Sequence, residues 1–352
     1  MPPGPILVIN PGSTSTKLAV AVDGELQTNL TVWHSARDLA QFSSIWDQFP
    51  YRLELCALQA RAHLEQCSAV VALGGLLRPV DGGIYRVNQK MLEDAKANLQ
   101  GEHASNLGCA LAHSIAKNYD CPAFVVDPVS VDEFEPLAYY SGHPAIKRRS
   151  LSHALNIHAA AGRASRELNI SLENSSLIIA HLGGGISVAP VRGGKIIDVN
   201  DASSDGPFSP ERTGSLPLQP FISLCFSGKY TEEEVRRLVK GKGGLVSYLG
   251  TNSVEEVEGR IRWGQVNTRE VLQAMAYQIA KEIGAMATVL MGRLDAIVLT
   301  GSLARSAMLT SWIRERVDFL APVIVHPGEH EMQALAGAAL AVLKGEQQIK
   351  EY

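Results

Sequence analysis

A short stretch near the N-terminus brings hydroxyl groups, backbone amides and one ammonium group together. It reads Asn10-Pro-Gly-Ser-Thr-Ser-Thr-Lys17 and includes Ser13 and Ser15. Amides in a tight turn, joined by one cation, form a cradle for an anion such as a transferred phosphate. The stretch is not a Walker A loop, because no G-x-x-x-x-G-K-[ST] occurs in the chain and a strand pattern follows it. The plainer alternative is a Ser/Thr-rich hairpin turn.

A second candidate loop carries a histidine followed by glycines. It reads His181-Leu-Gly-Gly-Gly185, so Gly183, Gly184 and Gly185 are consecutive. Glycines let a backbone approach a ligand closely or adopt positive φ. Because this loop occupies the same place between apolar runs as the first, we predict two phosphate loops. A structural histidine beside a strand bulge is the alternative.

Arg212 stands in a long polar loop that spans residues 201–214. Long polar loops on a rigid scaffold often carry function. A guanidinium can hold a carboxylate or a phosphate with two parallel hydrogen bonds, so Arg212 is a candidate anion ligand. The alternative is a solvated loop charge.

Two acidic residues are candidate ligands for Mg²⁺. Asp127 ends an apolar run just before a proline, and Glu331 begins the last helical pattern. Carboxylate oxygens suit Mg²⁺. A turn-forming aspartate and a partner of the helix dipole are the alternatives.

The loop at 299–305 follows a buried strand pattern and opens a helix, a common place for a nucleotide or for a plain turn.

An internal repeat supplies the elements that must position these loops. Residues 6–33 read as three strands with an Asp-Gly turn, and residues 177–199 repeat this layout with a Gly-Gly turn. Each is followed by helix, strand, helix and strand patterns, so both halves share a βββαβαβ plan. We predict an α/β fold of two duplicated lobes with helix-covered mixed sheets and a cleft between the lobes.

The length and helical periods set the expected domains. With 352 residues the chain suggests two domains. We predict a first lobe at 1–150 plus 332–352 and a second at 151–331. Helical spacing predicts helices at 150–168 and at 267–292, the latter interrupted near Gly284.

Composition narrows the classes of partner and compartment. The net charge is -4 and no long basic run occurs, which argues against nucleic acid. The five cysteines contain no C-x-x-C pair, so neither a disulfide framework nor a zinc site is predicted, and free thiols indicate the cytoplasm. No signal sequence or membrane span is expected.

Three segments are specific enough to identify a family. INPGSTSTK, the stretch HLGGGISVAPVRGGKIIDVNDASSDGPFSPERTGSLP and IVLTGSLARS resemble the acetate/butyrate kinase family, and the resemblance runs over essentially the whole chain. That family belongs to the superfamily of sugar kinases, chaperone ATPases and actin. The resemblance implies an actin-like ATPase fold and transfer of the γ-phosphoryl group of ATP to a short-chain carboxylic acid, with butyrate expected, giving an acyl phosphate and ADP. It also implies Mg²⁺ and a homo-oligomer, a dimer or an assembly of dimers.

The resemblance also implies roles for individual residues. Lys17, Asp127, His181 and Arg212 would be catalytic, with His181 on the transferring phosphoryl group. The phosphates and nucleotide would contact Asn10, Ser13, Ser15, Gly183, Gly184, Gly185, Gly301 and Ser302. Asn106 and His153 would lie on the substrate side, and Mg²⁺ would be organised by Asn10, Asp127 and Glu331.

One position departs from the family pattern. Members resembling this chain usually carry Gly-Arg-Gly-Gly where this sequence has Ala72-Leu-Gly-Gly75, so Leu73 replaces an arginine and Arg78 is a candidate substitute. The missing arginine leaves open a nucleotide-binding paralogue with weakened catalysis. A kinase for propionate, isobutyrate or another branched acid is a separate alternative, which only the size of the substrate pocket would distinguish. A sugar kinase with Asp127 as its base is a further rival.

Overall fold

In a computed structural model of the chain, residues 3–61 and 67–352 are described. The chain divides by its internal contacts into two compact units, Met1–Asp132 with His330–Tyr352, and Glu133–Glu329. Segment 133–150, which we expected in the first lobe, groups with the second unit; Glu133, for example, accepts a hydrogen bond from the amide of Ile196. Within the part of the chain that is described, no helix is both long and apolar enough to cross a membrane.

The first unit is built on a six-stranded sheet in the order β3-β2-β1-β4-β6-β5. Its strands are β1 (Ile6–Pro11), β2 (Ser15–Val22), β3 (Glu25–Trp33), β4 (Ala69–Leu73), β5 (Ile84–Arg86) and β6 (Ala123–Val126). Strand β1 pairs antiparallel with β2 and parallel with β4, and β4 pairs parallel with β6. Strand β5 was not predicted, because three residues are too short to show an alternating pattern.

The second unit repeats this arrangement without a counterpart of β5. Its five-stranded sheet has the order β11-β10-β7-β8-β9. The strands are β7 (Ser176–Leu182), β8 (Ile186–Arg192), β9 (Lys195–Ile196), β10 (Ala296–Gly301) and β11 (Val323–Pro327). Reading β7 as β1 and β10 as β4 makes the two orders equivalent, which confirms the predicted duplication.

Helices cover both sheets. The first unit contains α1 (Ala36–Leu39), α2 (Phe49–Ala60), α3 (Gln89–Lys96), α4 (Leu107–Asn118) and α12 (Glu331–Leu343). The second contains α5 (Ala154–Glu167), α6 (Leu218–Cys225), α7 (Glu232–Val239), α8 (Gly244–Leu249), α9 (Val254–Arg262), α10 (Val266–Val289) and α11 (Ala307–Val317). The predicted interruption near Gly284 is wrong: α10 is continuous, because its buried stripe of Leu272, Met275, Ile279, Ile283 and Met286 continues past the glycine.

Strand residues form the core of each unit. Strands β1 and β4 are buried on both faces, as are β7 and β10, which explains their unbroken apolar runs. Helix α4 packs on β4 so closely that a Cβ at Gly108 would overlap the carbonyl oxygen of Leu73. The carboxyl ends of the central strands are thereby held in fixed positions.

Substitution of two helical glycines tests this packing. Gly108→Ala should lower the free energy of unfolding by about 1–3 kcal/mol, the usual loss for overpacking, despite the better helix propensity of alanine. Gly284→Ala is the matched control, because its Cβ would meet no atom within 4 Å. It should stabilise the protein by about 0.5–1 kcal/mol. Urea denaturation measures both changes, and equal midpoints for the two variants would contradict this account of α4.

Candidate active site

The first predicted phosphate loop is a short hairpin between β1 and β2. Only residues 12–14 lie outside the strands, and Asn10 and Lys17 are opposite each other on them. The amide of Gly12 donates to the carbonyl of Ser15 at 2.7 Å, and the amide of His34 donates to the carbonyl of Thr14 at 2.9 Å. Ser13 and Thr14 are exposed at the tip, and Ser15 is half-buried. The hairpin therefore presents its tip to solvent while its carbonyls are held by the protein.

Two of the three predicted magnesium ligands, Asn10 and Glu331, meet in the first unit where α12 begins. The side-chain amide of Asn10 donates to Glu331 Oε2 at 2.6 Å. Asp127 follows β6 with a φ of 38°, and its Oδ1 accepts from the amide of Gly83 at 2.6 Å. Among the described residues, no set of three or more His, Cys, Asp or Glu side chains forms a ready-made metal cluster. Mg²⁺ needs no such cluster, since one or two carboxylates with waters and substrate phosphates suffice.

Asn106, predicted on the substrate side, is buried and engaged by the protein. Its Oδ1 accepts from the amide of Leu76 at 2.8 Å, while its Nδ2 donates to Asn98 Oδ1 and to the carbonyl of Gly101. A Cβ at Gly75 would overlap Asn106 Oδ1. Asn106 thus fixes the chain that follows β4.

Arg78, the candidate substitute for the arginine absent at Leu73, is held within the first unit. Its Nε donates to Asp94 Oδ2 at 2.8 Å, and the same pair forms an ion pair through Nη2. The guanidinium also lies 5.2 Å from the ring centroid of Tyr352. The Arg78 side chain is therefore held by Asp94 and Tyr352.

In the second unit, His181 is the penultimate residue of β7 and is stacked on a second histidine. The rings of His181 and His153 lie 4.0 Å apart at 19°. His153 precedes α5, and its Nδ1 lies 2.9 Å from Ser187 Oγ on β8. The stack limits rotation of the His181 ring, which is 2% exposed. Sequence matching had placed both histidines in the site, and the fold brings them together.

Burial lowers the pKa of His181 from its ordinary value to about 4, with Arg212 adding to the shift and Glu329 opposing it. The ring is therefore neutral at pH 7 and can donate from one nitrogen only. Its Nδ1 has no hydrogen-bond partner within the described portion of the chain. A neutral imidazole contributes a directed N–H rather than a charge.

Arg212 lies against the glycine loop that follows His181. A Cβ at Gly185 would overlap its Nη1, so only glycine permits this approach. Arg212 Nη1 donates to the carbonyl of Ala202 at 2.6 Å, and desolvation lowers the pKa of the guanidinium. Since arginine pKa values are well above neutrality, the group stays charged. The structure thus joins two predicted site segments.

The Arg212 loop is anchored by residues that the sequence reasoning missed. Ser209 Oγ donates to the carbonyl of Gly184 at 2.6 Å. Asn200 is fully buried, with Oδ1 accepting from the amide of Val188 and Nδ2 donating to the carbonyl of Ile186. A polar residue directly after the KIIDV run was the available signal. These bonds tie the loop to the β7–β8 hairpin.

Gly301 and Ser302, predicted beside the nucleotide, stand at the end of β10. Gly301 has a φ of 92°, and a Cβ there would overlap the carbonyl of Leu182. Ser302 is exposed and begins a short 3₁₀ helix. The end of β10 therefore touches the end of β7, and the loop at 299–305 lies beside the second glycine loop.

Comparison with solved structures defines the class of fold. The crystal structure of Porphyromonas gingivalis acetate kinase matches with a TM-score of 0.78 at 16% sequence identity, covering 96% of this chain and 100% of that one. The predicted actin-like ATPase fold of the acetate kinases is thus confirmed.

Sequence relatives define the family. Residues 137–321 match the model of the acetokinase family. A probable butyrate kinase of Listeria monocytogenes is 49% identical over 351 residues, 99% of each chain, and butyrate kinase 2 of Clostridium acetobutylicum is 46% identical over 351 residues, with the same coverage. The chain belongs to the acetokinase family. It is therefore a kinase, and the resemblance predicted from its motifs is confirmed.

The buried state of His181 predicts its titration. Because the folded pKa lies below the ordinary value of 6.5, the unfolded chain binds the proton more tightly. The contribution of His181 to stability is complete above pH 6.5 and is lost as pH falls towards 4. NMR of the imidazole C2–H, assigned with His181→Gln, should show a midpoint near 4. A midpoint near 6.5 would show that the ring is solvated.

Substitution of two neighbouring glycines tests the position of the Arg212 side chain. Gly185→Ala should displace the guanidinium and lower kcat by about 10²-fold or more, the usual loss for a misplaced charge donor. Gly184→Ala is the matched control, because its Cβ would meet nothing within 4 Å and Arg212 stays in place. Any loss of kcat in Gly184→Ala measures the space that a bound nucleotide requires at this loop. Steady-state kinetics of both variants, with thermal melts, give the comparison; a greater loss for Gly184→Ala would refute the assignment.

Proposed function

We propose that this kinase transfers the γ-phosphoryl group of ATP to the carboxylate of butyrate, reversibly, giving butyryl phosphate and ADP. The observation that carries the proposal is the 49% identity, over 99% of both chains, to a protein named as a probable butyrate kinase. The Clostridium acetobutylicum relative, named as butyrate kinase 2, supports the same substrate at 46% identity.

The chemistry requires positioning and charge neutralisation more than proton transfer. A carboxylate is already a nucleophile at neutral pH, so no general base is needed. One carboxylate oxygen forms the new bond to the γ-phosphorus, and the bond to the β–γ bridging oxygen breaks with its electrons going to ADP. The charges that accumulate in this transfer are those on the phosphoryl oxygens.

Cationic and polar side chains are proposed to stabilise the charge on these oxygens. Arg212 would hold the equatorial oxygens and the carboxylate with its fixed fork. Neutral His181 would donate one hydrogen bond to the transferring group, kept in orientation by His153. Lys17, half-buried on β2, would add a positive charge.

Backbone loops are proposed to bind the nucleotide. The tip of the first hairpin, with Ser13 and Ser15, and the glycine loop 183–185 would contact phosphates through amides. Gly301 and Ser302 would border the adenosine. The close contact between the ends of β7 and β10 supports placing the glycine loop 183–185 and the Gly301–Ser302 segment against one nucleotide.

Asn10, Asp127 and Glu331 are proposed to hold Mg²⁺, directly or through water. Their oxygen donors suit this ion, and the hydrogen bond between Asn10 and Glu331 brings two of the donors together. When bound, Mg²⁺ would neutralise charge on the ATP phosphates. For Asn106 we now propose a supporting role, because its amide is already bonded to the protein.

We further propose that the protein works in the cytoplasm as a homo-oligomer. All five cysteines are free thiols, as a reducing compartment would keep them. Helix α6 exposes Leu218 and Ile222, and Phe226 directly follows it with 87% exposure, which suits contact with a second copy. Light scattering of the purified protein tests the assembly, and cell fractionation tests the compartment.

An acyl-hydroxamate assay with ATP, Mg²⁺ and acids from acetate to valerate, with branched isomers, tests the function. Butyrate should give the highest kcat/KM. Arg212→Ala should lower turnover by about 10²–10⁵-fold, the range for losing a transition-state charge donor. Arg236→Ala is the matched control, because that arginine is exposed and paired with Glu232 on α7.

The outcomes separate the rival functions. A preference for propionate or isobutyrate would contradict butyrate as the substrate, while the assignment as a carboxylate kinase would stand. An enzyme that phosphorylates none of these acids would overturn the proposed function. Arg212→Ala kinetics within tenfold of the control would remove Arg212 from the reaction.

A further inference from the structure

Arg52 is a charged residue buried in the first unit that none of the roles above uses. It lies on α2 in a stripe with Cys56 and Ala60, and its side chain is 0% exposed. An ionised group at such a position is unfavourable unless hydrogen bonds compensate for lost hydration. The hydrogen-bond partners of Arg52 therefore indicate which segment of the fold it positions.

Two of those contacts reach the phosphate hairpin. Arg52 Nη1 donates to the carbonyl of Gly12 at 2.7 Å, and Nη2 donates to the carbonyl of Ser13 at 3.1 Å. Gln48 Oε1 accepts from Nε at 3.0 Å and from Nη2 at 2.8 Å, which fixes the guanidinium plane. The fork thus spans two successive peptide groups of the loop.

The remaining contact also belongs to the hairpin. Thr16 Oγ1 accepts from Arg52 Nη1 at 3.3 Å and lies 2.9 Å from His34 Nε2. Burial, with the nearby Arg52 charge, lowers the pKa of His34 to about 4, so this histidine is neutral and adds no second cation. Within the described ranges 3–61 and 67–352, the acceptors of Arg52 are carbonyl, amide and hydroxyl oxygens, and no carboxylate is among them.

Peptide geometry converts these bonds into an orientation of amides. In a trans peptide, the C=O of one residue and the N–H of the next point in opposite directions, and no cis peptide occurs in the described chain. Holding the carbonyls of Gly12 and Ser13 inward therefore turns the amides of Ser13 and Thr14 outward. Both residues are exposed, and neither amide donates to an acceptor in the described part of the protein.

We propose that Arg52 is a positioning residue for the phosphate loop, which turns the Ser13 and Thr14 amides towards the phosphates of ATP and adds a positive charge behind them. A carboxylate partner would cancel that charge, and the structure provides neutral acceptors instead. The inference rests on the proposed function for the identity of the ligand. The geometry of the loop does not depend on it.

The test compares three variants for binding of Mg·ATP by titration calorimetry and for kinetics. Arg52→Met removes charge and fork, and should weaken ATP binding and raise the KM for ATP by about 10–100-fold, the range for lost charge-assisted hydrogen bonds. The KM for the acid should not change. Arg52→Lys keeps the charge without the fork and should show a smaller loss.

Met91→Ala is the control for stability, because Met91 lies on α3 and is fully buried in the core of the same unit. If the role of Arg52 is purely structural, Arg52→Met should behave like Met91→Ala: less of the protein is folded and active, but the folded fraction binds ATP with the wild-type affinity. That result for folded Arg52→Met would overturn the proposal. If Arg52→Met does not fold, Arg52→Lys decides, and wild-type affinity in a folded lysine variant would overturn it equally.

Binding and turnover distinguish this inference from the proposed function. Wild-type protein that binds ATP and phosphorylates no acid would remove the proposed function, while the Arg52 comparison could still be read from the binding data. Wild-type protein that does not bind ATP would overturn both.

Discussion

Each unit depends on one strand that is paired in two ways. Strand β1 runs antiparallel to β2 and parallel to β4, and β7 has the same relation to β8 and β10. The antiparallel pairing puts a hairpin loop at the carboxyl end of the strand, and the parallel pairing brings the end of the next strand to the same edge. Ligands of open α/β sheets bind at this edge. One topological rule therefore places a proposed phosphate loop beside the end of a second strand in both halves.

The crowding at that edge determines which residues can occupy it. At Gly301 a side chain would overlap the end of β7, and at Gly185 it would overlap Arg212. At Gly301 backbone meets backbone, and at Gly185 the Arg212 guanidinium rests against the loop, so neither position has room for a side chain. Gly284, in open space on α10, carries no such constraint.

The sequence was sufficient for features that depend on local pattern. Apolar runs ending in small residues predicted the repeat, the strands other than β5 and the two hairpins, because burial on both faces of a sheet requires continuous β-branched segments. Contacts between residues distant in sequence could not be predicted in this way. The hydrogen bonds from the Asn106 side chain to the turn after β4, and the ion pair of Arg78 with Asp94, are visible only in the fold. Arg52 bonds to residues about 40 positions away, so its neighbours in sequence do not mark it as buried.

The way that arginines are compensated separates those that maintain the fold from those proposed for the reaction. Arg78 pairs with Asp94 in the first unit and Arg148 pairs with Asp198 in the second, so a carboxylate lies against each of these guanidinium groups. Arg52 and Arg212 instead donate to neutral oxygens in the described chain, Arg52 to the carbonyls of Gly12 and Ser13 and Arg212 to that of Ala202. A kinase whose two substrates are both anions needs positive charge that the protein has not already neutralised, because repulsion between the substrates grows as water is excluded. Carbonyl acceptors meet this need, since they satisfy the geometry of the guanidinium and leave its field available to a ligand.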